Sequence, residues 1–241
     1  MPVFGDLLVR RFKCLYPLSS GEEAFLRTMW SRTSDFSARQ DIYYEGARPD
    51  SSALLLSGLA CRYRLMSSGT RQIIAFIVPG DLFDTQSFLL RTLDHGIASI
   101  SPCTAGLIKH KTLMEITRSH HGIALGLWKA TLIEGATSRE WIVNVGQRNA
   151  HARIAHVMCE IYARLAVVGH TADGGIPWPI TQSALGDATG LTQVHVNRTL
   201  KGLRSDGLIT LENRWLTIHD WDGLCRRGEF ENRYLHLSPA A

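Results

Sequence analysis

The chain has 241 residues, 45% of them hydrophobic, so it is long enough for two domains with separate cores. Its formal net charge is only +4, which excludes binding to nucleic acid through a strong overall positive field and leaves local clustering of charge. An odd number of cysteines without a CxxC pair argues against a disulfide framework, and no apolar run of membrane-spanning length occurs. We therefore expect a cytoplasmic protein with no signal peptide and no membrane partner.

Residues 1–30 are predicted to be helical, with an N-terminal capping motif at Ser19 to Glu23. From residue 34 to 110, short apolar and β-branched runs alternate with turn residues about every ten positions, which predicts a compact antiparallel barrel or jelly roll. The predicted strands are 42–44, 53–56, 60–66, 72–78, 97–100 and 104–108, with a hairpin loop at 67–70 and a short helix at 111–118.

Residues 120–148 form one long helical pattern with an apolar stripe. The stripe contains Ile123, Leu127, Ala130, Ile133, Thr137, Trp141 and Val145, at spacings of three or four. A helix of about 26 residues is near 40 Å long, so we expect a second copy of the chain to bury this stripe. The alternative is that the stripe packs on the barrel of its own chain.

A further helix is predicted to restart at Asn149, with Ile154, Val157 and Leu165 on its apolar face. It ends in a glycine- and proline-rich loop, residues 169–179. The segment Thr181 to Leu211 then reads as a helix-turn-helix followed by a wing strand. Thr181 and Thr192 are expected N-caps, and Gly190 suits the turn because glycine tolerates positive φ.

The second helix of this pair has two different faces. Val196, Leu200 and Leu203 recur at helical spacing and should face the core. The opposite face carries Gln193, His195, Asn197, Arg198, Lys201 and Arg204, which are long enough to reach base edges and phosphates. An ordinary helical hairpin with a polar outside is the alternative.

The order of barrel, long helix, second helix, helix-turn-helix and wing resembles the cyclic-AMP-receptor/FNR family of bacterial transcription regulators. The most specific parts of the resemblance are Arg153-Ile154-Ala155, the 181–211 segment and Pro79-Gly80-Asp81-Leu82. It implies an α+β fold: a β-roll effector domain over 1–119, a dimerisation helix over 120–148 and a winged helix-turn-helix over 149–241. The implied partners are a second copy, a pseudo-palindromic double-stranded DNA operator and RNA polymerase, the last through the loop at 169–178.

The resemblance also assigns residues. Bases would be read by Gln193, Val194, Asn197 and Arg198, with Arg198 able to hold guanine in a bidentate fork. Val194 stands where many relatives have glutamate, so the target sequence should differ from theirs. Thr192 and His195 would contact phosphates, and Lys201 and Arg204 either do the same or form a solvated face.

The effector pocket departs from the family pattern. Where cyclic-nucleotide-binding members have a Gly-Glu and an Arg-Ser pair, ungapped counting gives Asp84-Thr85 and His95-Gly96. The cyclic phosphate would lose its arginine fork, so we expect that neither cyclic AMP nor cyclic GMP binds at micromolar concentration. The protein would sense another signal or none; a genuine cyclic-nucleotide-responsive regulator or sensor module is the alternative.

Other chemistries are expected to be absent. Cys14 stands alone near the start, which does not suit an iron–sulfur cluster, and Cys61 and Cys103 read as core residues rather than thiol sensors. Haem ligation by His95, His110, His120 or His121 has no support beyond the presence of histidines. No Gly-rich phosphate loop, nucleophile elbow or HExxH motif occurs, so we expect no enzyme, no cofactor and no metal.

Overall fold

The computed structural model describes residues 2–237; Met1 and residues 238–241, which belong to the two outer predicted domains, lie outside the described residues. The N-terminal part contains eight strands in two four-stranded antiparallel sheets, ordered β1-β8-β3-β6 and β2-β7-β4-β5. The strands are Arg32–Phe36 (β1), Asp41–Tyr43 (β2), Ser51–Ser57 (β3), Ala60–Leu65 (β4), Arg71–Ile77 (β5), Leu82–Phe83 (β6), Gly96–Ser99 (β7) and Cys103–Lys109 (β8).

Apolar side chains of both sheets meet inside this β-roll, among them Leu55, Ile77, Phe83 and Ile97. Each of the six predicted strand runs is a strand, because alternation of apolar and polar residues is set locally by the two faces of a sheet. The hairpin loop at 67–70 joins β4 to β5 as predicted. The strands β1 and β6 were not among the predicted runs.

Five helices surround the roll: Pro2–Leu15 (α1), Ser20–Leu26 (α2), Ser87–Leu90 (α3), His110–Ser119 (α4) and His121–Gly146 (α5). The predicted cap at Ser19 is a capping box with Glu22. Glu22 has a second role, because its Oε1 accepts hydrogen bonds from the backbone N–H groups of Gly122, at 2.6 Å, and Ile123, at 3.3 Å. One carboxylate therefore satisfies free donors at the start of two helices.

The residues predicted to form a dimer face on α5 pack within their own chain. Three are buried, namely Ile123, Ile133 and Trp141, and Leu127, Ala130 and Thr137 are half-buried. They face α1, the outside of the β-roll and the C-terminal domain. The assignment of Ile123, Ile133 and Trp141 to a dimer interface is therefore wrong, because the chain itself already covers these side chains.

A different stripe of α5 faces the solvent. Its members alternate at spacings of three and four: Leu125, Trp128, Leu132, Gly135, Arg139, Ile142 and Gly146. The side chains of Trp128, Leu132 and Ile142 are 65%, 62% and 69% exposed. We call this stripe the α5 seam, because strict three-four alternation is the pattern with which helices pack side by side.

The C-terminal part contains Ala150–Val167 (α6), Gly175–Pro177 (β9), Gln182–Thr189 (α7), Gln193–Ser205 (α8), Ile209–Glu212 (β10), Trp215–Ile218 (β11), Trp221–Gly228 (α9) and a 3₁₀ turn at Asn232–Leu235. The strands form a sheet in the order β10-β11-β9. Residues 169–179 are thus not purely a loop, since β9 pairs with β11. The glycine content of that segment has a packing reason: a Cβ at Gly175 would lie 2.3 Å from Nε1 of Trp215.

The observed architecture confirms the predicted α+β class, with a β-roll, a long helix and a winged helix-turn-helix. Within residues 2–237, no helix combines the length and apolar character that crossing a membrane requires.

Two neighbouring valines of α8 test the packing of this domain. Val196 is fully buried and Val194 is 69% exposed. We expect Val196→Ala to lower the free energy of unfolding by about 2 kcal/mol, because it removes two buried methyl groups and leaves a cavity. Val194→Ala, the matched control, should change it by less than about 0.5 kcal/mol. Urea denaturation of both variants measures this, and equal effects would contradict the orientation of α8.

Candidate nucleic-acid interface and effector cavity

The helix-turn-helix is built by local capping. Thr181 caps α7 by accepting a hydrogen bond from the N–H of Ala184 at 3.1 Å, and Gly190 ends α7 with φ of +67°. Thr192 caps α8 in the same way. The turn is tight, because a Cβ at Gly186 would lie 2.6 Å from the carbonyl oxygen of Leu191. These caps and glycines fix the angle at which α8 leaves the domain.

The inner face of α8 packs as the sequence predicts: Val196, Leu200 and Leu203 are buried in the domain core. The outer face is exposed at Gln193, Val194, His195, Arg198, Lys201 and Arg204. No Asp or Glu occurs between Gln193 and Ser205. The outer face therefore presents cations and polar groups without a competing carboxylate on its own helix.

Three of the predicted contact residues have partners inside the domain. Asn197 is half-buried and its amide donates to Oε1 of Gln182 at 3.3 Å. The Thr192 hydroxyl accepts from the N–H of His195 at 3.4 Å. Nε of Arg204 donates to a carbonyl of its own helix at 3.3 Å. Gln193, Val194 and Arg198 point outward more freely.

Nearby acidic side chains are engaged by arginines elsewhere in the chain. Asp187 of α7 pairs with Arg71 of β5 at 2.8 Å, and Asp206, just after α8, pairs with Arg227 of α9 at 2.5 Å. These pairs reduce the negative charge beside the outer face of α8. Because the net charge of the chain is low, DNA binding requires a local cluster of positive charge, and the outer face of α8 provides one.

A cavity of about 750 Å³ lies between the β-roll and α5, lined by β5 on one side and by α5 on the other. Arg62, Gln86, His95 and Glu134 are among its polar lining residues. The Arg62 side chain is largely buried, and its Nη1 lies 3.1 Å from Oε1 of Glu134. Arg62 therefore already has a carboxylate as its partner, and so do the other two arginines that line the cavity, since Arg11 and Arg164 both pair with Asp81.

His95 is held in one tautomer by its neighbours. Nδ1 lies 2.7 Å from Oδ1 of Asp94, and Nε2 lies 3.4 Å from the amide nitrogen of Gln86. Donation from Nδ1 to Asp94, with Nε2 accepting from Gln86, satisfies both ring nitrogens of a neutral imidazole. Burial lowers the pKa of His95, which agrees with a neutral ring.

Two family models match the chain: the cyclic nucleotide-binding domain over residues 33–120 and the Crp-like helix-turn-helix domain over 152–227. The transcriptional activator protein FnrL of Cereibacter sphaeroides is 25% identical over 213 residues, covering 87% of this chain and 85% of that protein. The nitrogen fixation regulation protein FixK of Azorhizobium caulinodans is 24% identical, covering 79% and 77%.

The chain belongs to the Crp-Fnr family of transcription regulators. It therefore acts in transcription through a helix-turn-helix DNA-binding domain, and its relatives are regulators rather than enzymes. The solved structure of FixK2 from Bradyrhizobium japonicum shares the fold, with a TM-score of 0.74 and 24% identity, covering 81% of this chain and 96% of that one.

In this Crp-Fnr member, the four residues predicted for the effector pocket do not all line one cavity. His95 lines the main cavity, whereas Thr85 lines an adjoining space of about 50 Å³ that shares Asp81 and Glu134 with it. Gly96 lies under a tyrosine, because a Cβ there would be 2.4 Å from Cζ of Tyr63. Asp84 is fully buried and lines neither cavity. Grouping all four as one pocket is therefore wrong for Asp84 and Gly96, since the chain's own side chains surround them.

Sequence reasoning missed the cavity residues Arg62, Gln86 and Glu134. Arg62 carried a signal, because in a strand the side chains of Ala60 and Arg62 share one face, and a charge on the apolar face of a strand is unusual. No sequence signal marked Gln86 or Glu134, since each reaches the cavity from a separate element. Within residues 2–237, no three His, Cys, Asp or Glu side chains come together as metal ligands do.

Asp84 carries a fully buried carboxyl group. It has a φ of +65°, and neither of its carboxyl oxygens has a partner among the described residues. Its backbone carbonyl accepts from the hydroxyls of Ser52 at 3.1 Å and Ser87 at 2.8 Å. Burial raises the pKa of Asp84 from 3.8 to about 7, because the charged form is not solvated there.

The stability of the protein should therefore depend on the proton of Asp84. The folded state keeps this proton up to about pH 7, while the unfolded chain releases it near pH 3.8, so the stabilisation is lost as pH rises between these values. We expect the free energy of unfolding to fall by roughly 2.5 kcal/mol more in the wild type than in Asp84→Asn between pH 5 and pH 8, at ~1.36 kcal/mol per pKa unit.

Chemical denaturation at both pH values measures this difference. Asparagine tolerates positive φ, so the variant keeps the backbone. Asp173→Asn is the matched control, because Asp173 also has a positive φ, of 48°, but is exposed. Identical pH profiles for the wild type and Asp84→Asn would contradict a protonated buried carboxyl.

Proposed function

We propose that this Crp-Fnr member is a homodimer that binds a pseudo-palindromic DNA operator in a sequence-specific manner. The observation that carries the proposal is the exposed, acid-free outer face of α8. In helix-turn-helix dimers, each recognition helix enters a major groove, and the two half-sites lie about 34–36 Å apart. A regulator of this kind reads both half-sites with the same side chains.

Gln193, Val194, Asn197 and Arg198 are the proposed base-reading residues. Arg198 is exposed on the middle turn of α8, and a guanidinium there can form a bidentate contact with guanine. Val194 offers a methyl contact to thymine instead of an acceptor for cytosine. Asn197 reads a base with the side-chain oxygen that its bond to Gln182 leaves available. Thr192, His195, Lys201 and Arg204 are the proposed phosphate contacts.

The α5 seam is the proposed dimer interface, with a second copy as its occupant. Its three-four alternation extends over 22 residues, from Leu125 to Gly146. Gly146 has open space where a Cβ would stand, so a second backbone can approach closely there, whereas Nη1 of Arg139 lies 3.5 Å from the corresponding position at Gly135. Arg139 interrupts the apolar surface, but its long side chain can reach out of the seam to water. A pair of seams would remove Trp128, Leu132 and Ile142 from solvent.

The effector of this regulator is proposed to be something other than a cyclic nucleotide, or none. The arginines that line the cavity are already paired, Arg62 with Glu134 and both Arg11 and Arg164 with Asp81. A cyclic phosphate would therefore meet paired cations and nearby negative charges. His95 is neutral and cannot replace the arginine fork of cyclic-nucleotide-binding relatives. We also propose that the segment 169–178 contacts RNA polymerase, which rests on the family resemblance alone.

Two substitutions on α8 test the DNA-binding proposal. We expect Arg198→Ala to cost about 1–3 kcal/mol of discrimination at one position of each half-site, because the guanine fork is lost. Lys201→Ala should weaken all sequences alike and lower the slope of log K against log salt by about 1 per protomer. Fluorescence anisotropy measures both, with a footprint-derived operator and its single-base variants over a salt series.

The control for these variants is Arg118→Ala, which removes an exposed arginine from α4, far along the chain from the helix-turn-helix. It should leave affinity and salt slope unchanged. Equal and sequence-independent losses for Arg198→Ala and Lys201→Ala would refute the division between base reading and phosphate contact.

The dimer proposal is tested by placing a charge on the seam. We expect Leu132→Glu to raise the dimer dissociation constant by about 10²- to 10⁴-fold, because two leucines worth about 1.5–3 kcal/mol each lose their apolar contact. Leu89→Glu is the matched control, since Leu89 is equally apolar and 74% exposed but lies on α3. Sedimentation velocity over a concentration series distinguishes them, and an unchanged dimer in Leu132→Glu would rule out the seam.

A further inference from the structure

Two cysteine thiols meet where α6 packs against α9. Sγ of Cys225 lies 4.0 Å from Sγ of Cys159, close enough for a weak thiol hydrogen bond. Both are free thiols. The helices approach closely at this point, because a Cβ at Gly228 would lie 2.7 Å from the backbone nitrogen of His156.

The two thiols differ in their access to solvent. Cys159 is fully buried in the core beneath the helix-turn-helix. Cys225 is half-buried and lines an open cavity of about 630 Å³. The charged residues that line this cavity are three arginines and three glutamates: Arg148, Arg226, Arg233, Glu140, Glu229 and Glu231. A small oxidant in solution can therefore reach Cys225 directly, but it can reach Cys159 only through Cys225.

The electrostatic surroundings give the two thiols different reactivities. The hydrogen bond with Cys159 lowers the pKa of Cys225 and outweighs the opposing effects of burial and of the negative charge of Asp222. Burial raises the pKa of Cys159. Because the thiolate is the nucleophile in thiol oxidation, Cys225 is the thiol that reacts first and Cys159 the one that resolves the product.

We propose that Cys159 and Cys225 are a modification site that forms an intramolecular disulfide on reaction with a hydroperoxide. In the first step the Cys225 thiolate attacks the peroxide: an S–O bond forms, the O–O bond breaks, and hydroxide or alkoxide leaves and takes up the thiol's proton. In the second step Sγ of Cys159 attacks Sγ of Cys225: the S–S bond forms, the S–O bond breaks, and the hydroxyl leaves as water with the Cys159 proton.

Bond formation requires the two sulfur atoms to move from 4.0 Å to about 2.05 Å apart, so side-chain rotation or a shift of α9 must supply about 2 Å. The site lies behind the recognition helix. Arg227, in the same turn of α9 as Cys225, forms the ion pair with Asp206 at the end of α8. The disulfide therefore ties α6 covalently to the helix that supports α8.

Peptide mapping tests the proposal directly. The reduced full-length protein is treated with hydrogen peroxide, alkylated and digested with trypsin under non-reducing conditions. Trypsin releases Cys159 in peptide 154–164 and Cys225 in peptide 215–226. We expect these two peptides to appear cross-linked in a monomer-sized chain, and dithiothreitol to release them.

Variants separate the roles of the two thiols. Cys225→Ser should lose the cross-link and leave Cys159 reduced, whereas Cys159→Ala should accumulate a sulfenic acid at Cys225 that a dimedone probe captures. Cys103→Ser, which removes a buried thiol of the β-roll, should keep the cross-link. If Cys159→Ala does not fold, Cys225→Ser still tests the proposal, because Cys225 is only half-buried. The proposal is overturned by unreacted thiols, by Cys225 sulfinic acid beside free Cys159, or by a disulfide between chains.

Discussion

A buried carboxylate, that of Glu160, holds the parts of this molecule in register. Glu160 is almost fully buried, and it accepts hydrogen bonds from Nε1 of Trp141 on α5, from the Tyr234 hydroxyl and from Nη1 of Arg164. Arg164 in turn pairs with Asp81 of the β-roll. An unpaired charge in this position would cost several kcal/mol, so the arrangement is favourable only while all partners are present. The β-roll, α5, α6 and the C-terminal turn are thus tied to one another by a single polar network.

This network explains which face of α5 is covered. The sequence of α5 has apolar residues on two stripes, so periodicity predicts a long helix but cannot decide which stripe meets the β-roll. Trp141 faces inward, where Glu160 satisfies its indole N–H, and its neighbour Ile142 is left 69% exposed. Which stripe of α5 faces inward therefore depends on the Glu160 carboxylate, which lies 19 residues from Trp141 in sequence and on another helix. By contrast, Val196 and Leu203 could be predicted as core residues because the turn and caps of the helix-turn-helix are local.

The effector region shows even more clearly that local sequence patterns do not predict contacts between distant segments. Counting along the chain from Gly80-Asp81 assumes that the loop keeps the family's path, but this chain places Asp84 at positive φ and a short helix directly after it. The residues that line the cavity come from β4, β5 and α5 as well as from the segment 81–95. Arg62 and Glu134 are 72 positions apart in sequence and 3.1 Å apart in space. No local pattern encodes such a pair, since it exists only after the sheets and α5 have packed.

The strand β5 joins this cavity to the DNA-binding domain. Its residues Gln72–Phe76 line the cavity, and its first residue, Arg71, pairs with Asp187 of α7. The amide of Gln72 also reaches the carbonyl of Ala188, at 3.5 Å. The pair is partly exposed, and a pair of that kind contributes only about 0–1 kcal/mol. The ion pair is therefore not what holds α7 against the β-roll, because one apolar cluster contains Ile73 and Phe76 of β5 together with Leu185 and Ala188 of α7. The polar network at Glu160 and this shared apolar cluster position the DNA-binding domain, and the Arg71–Asp187 pair adds little to either.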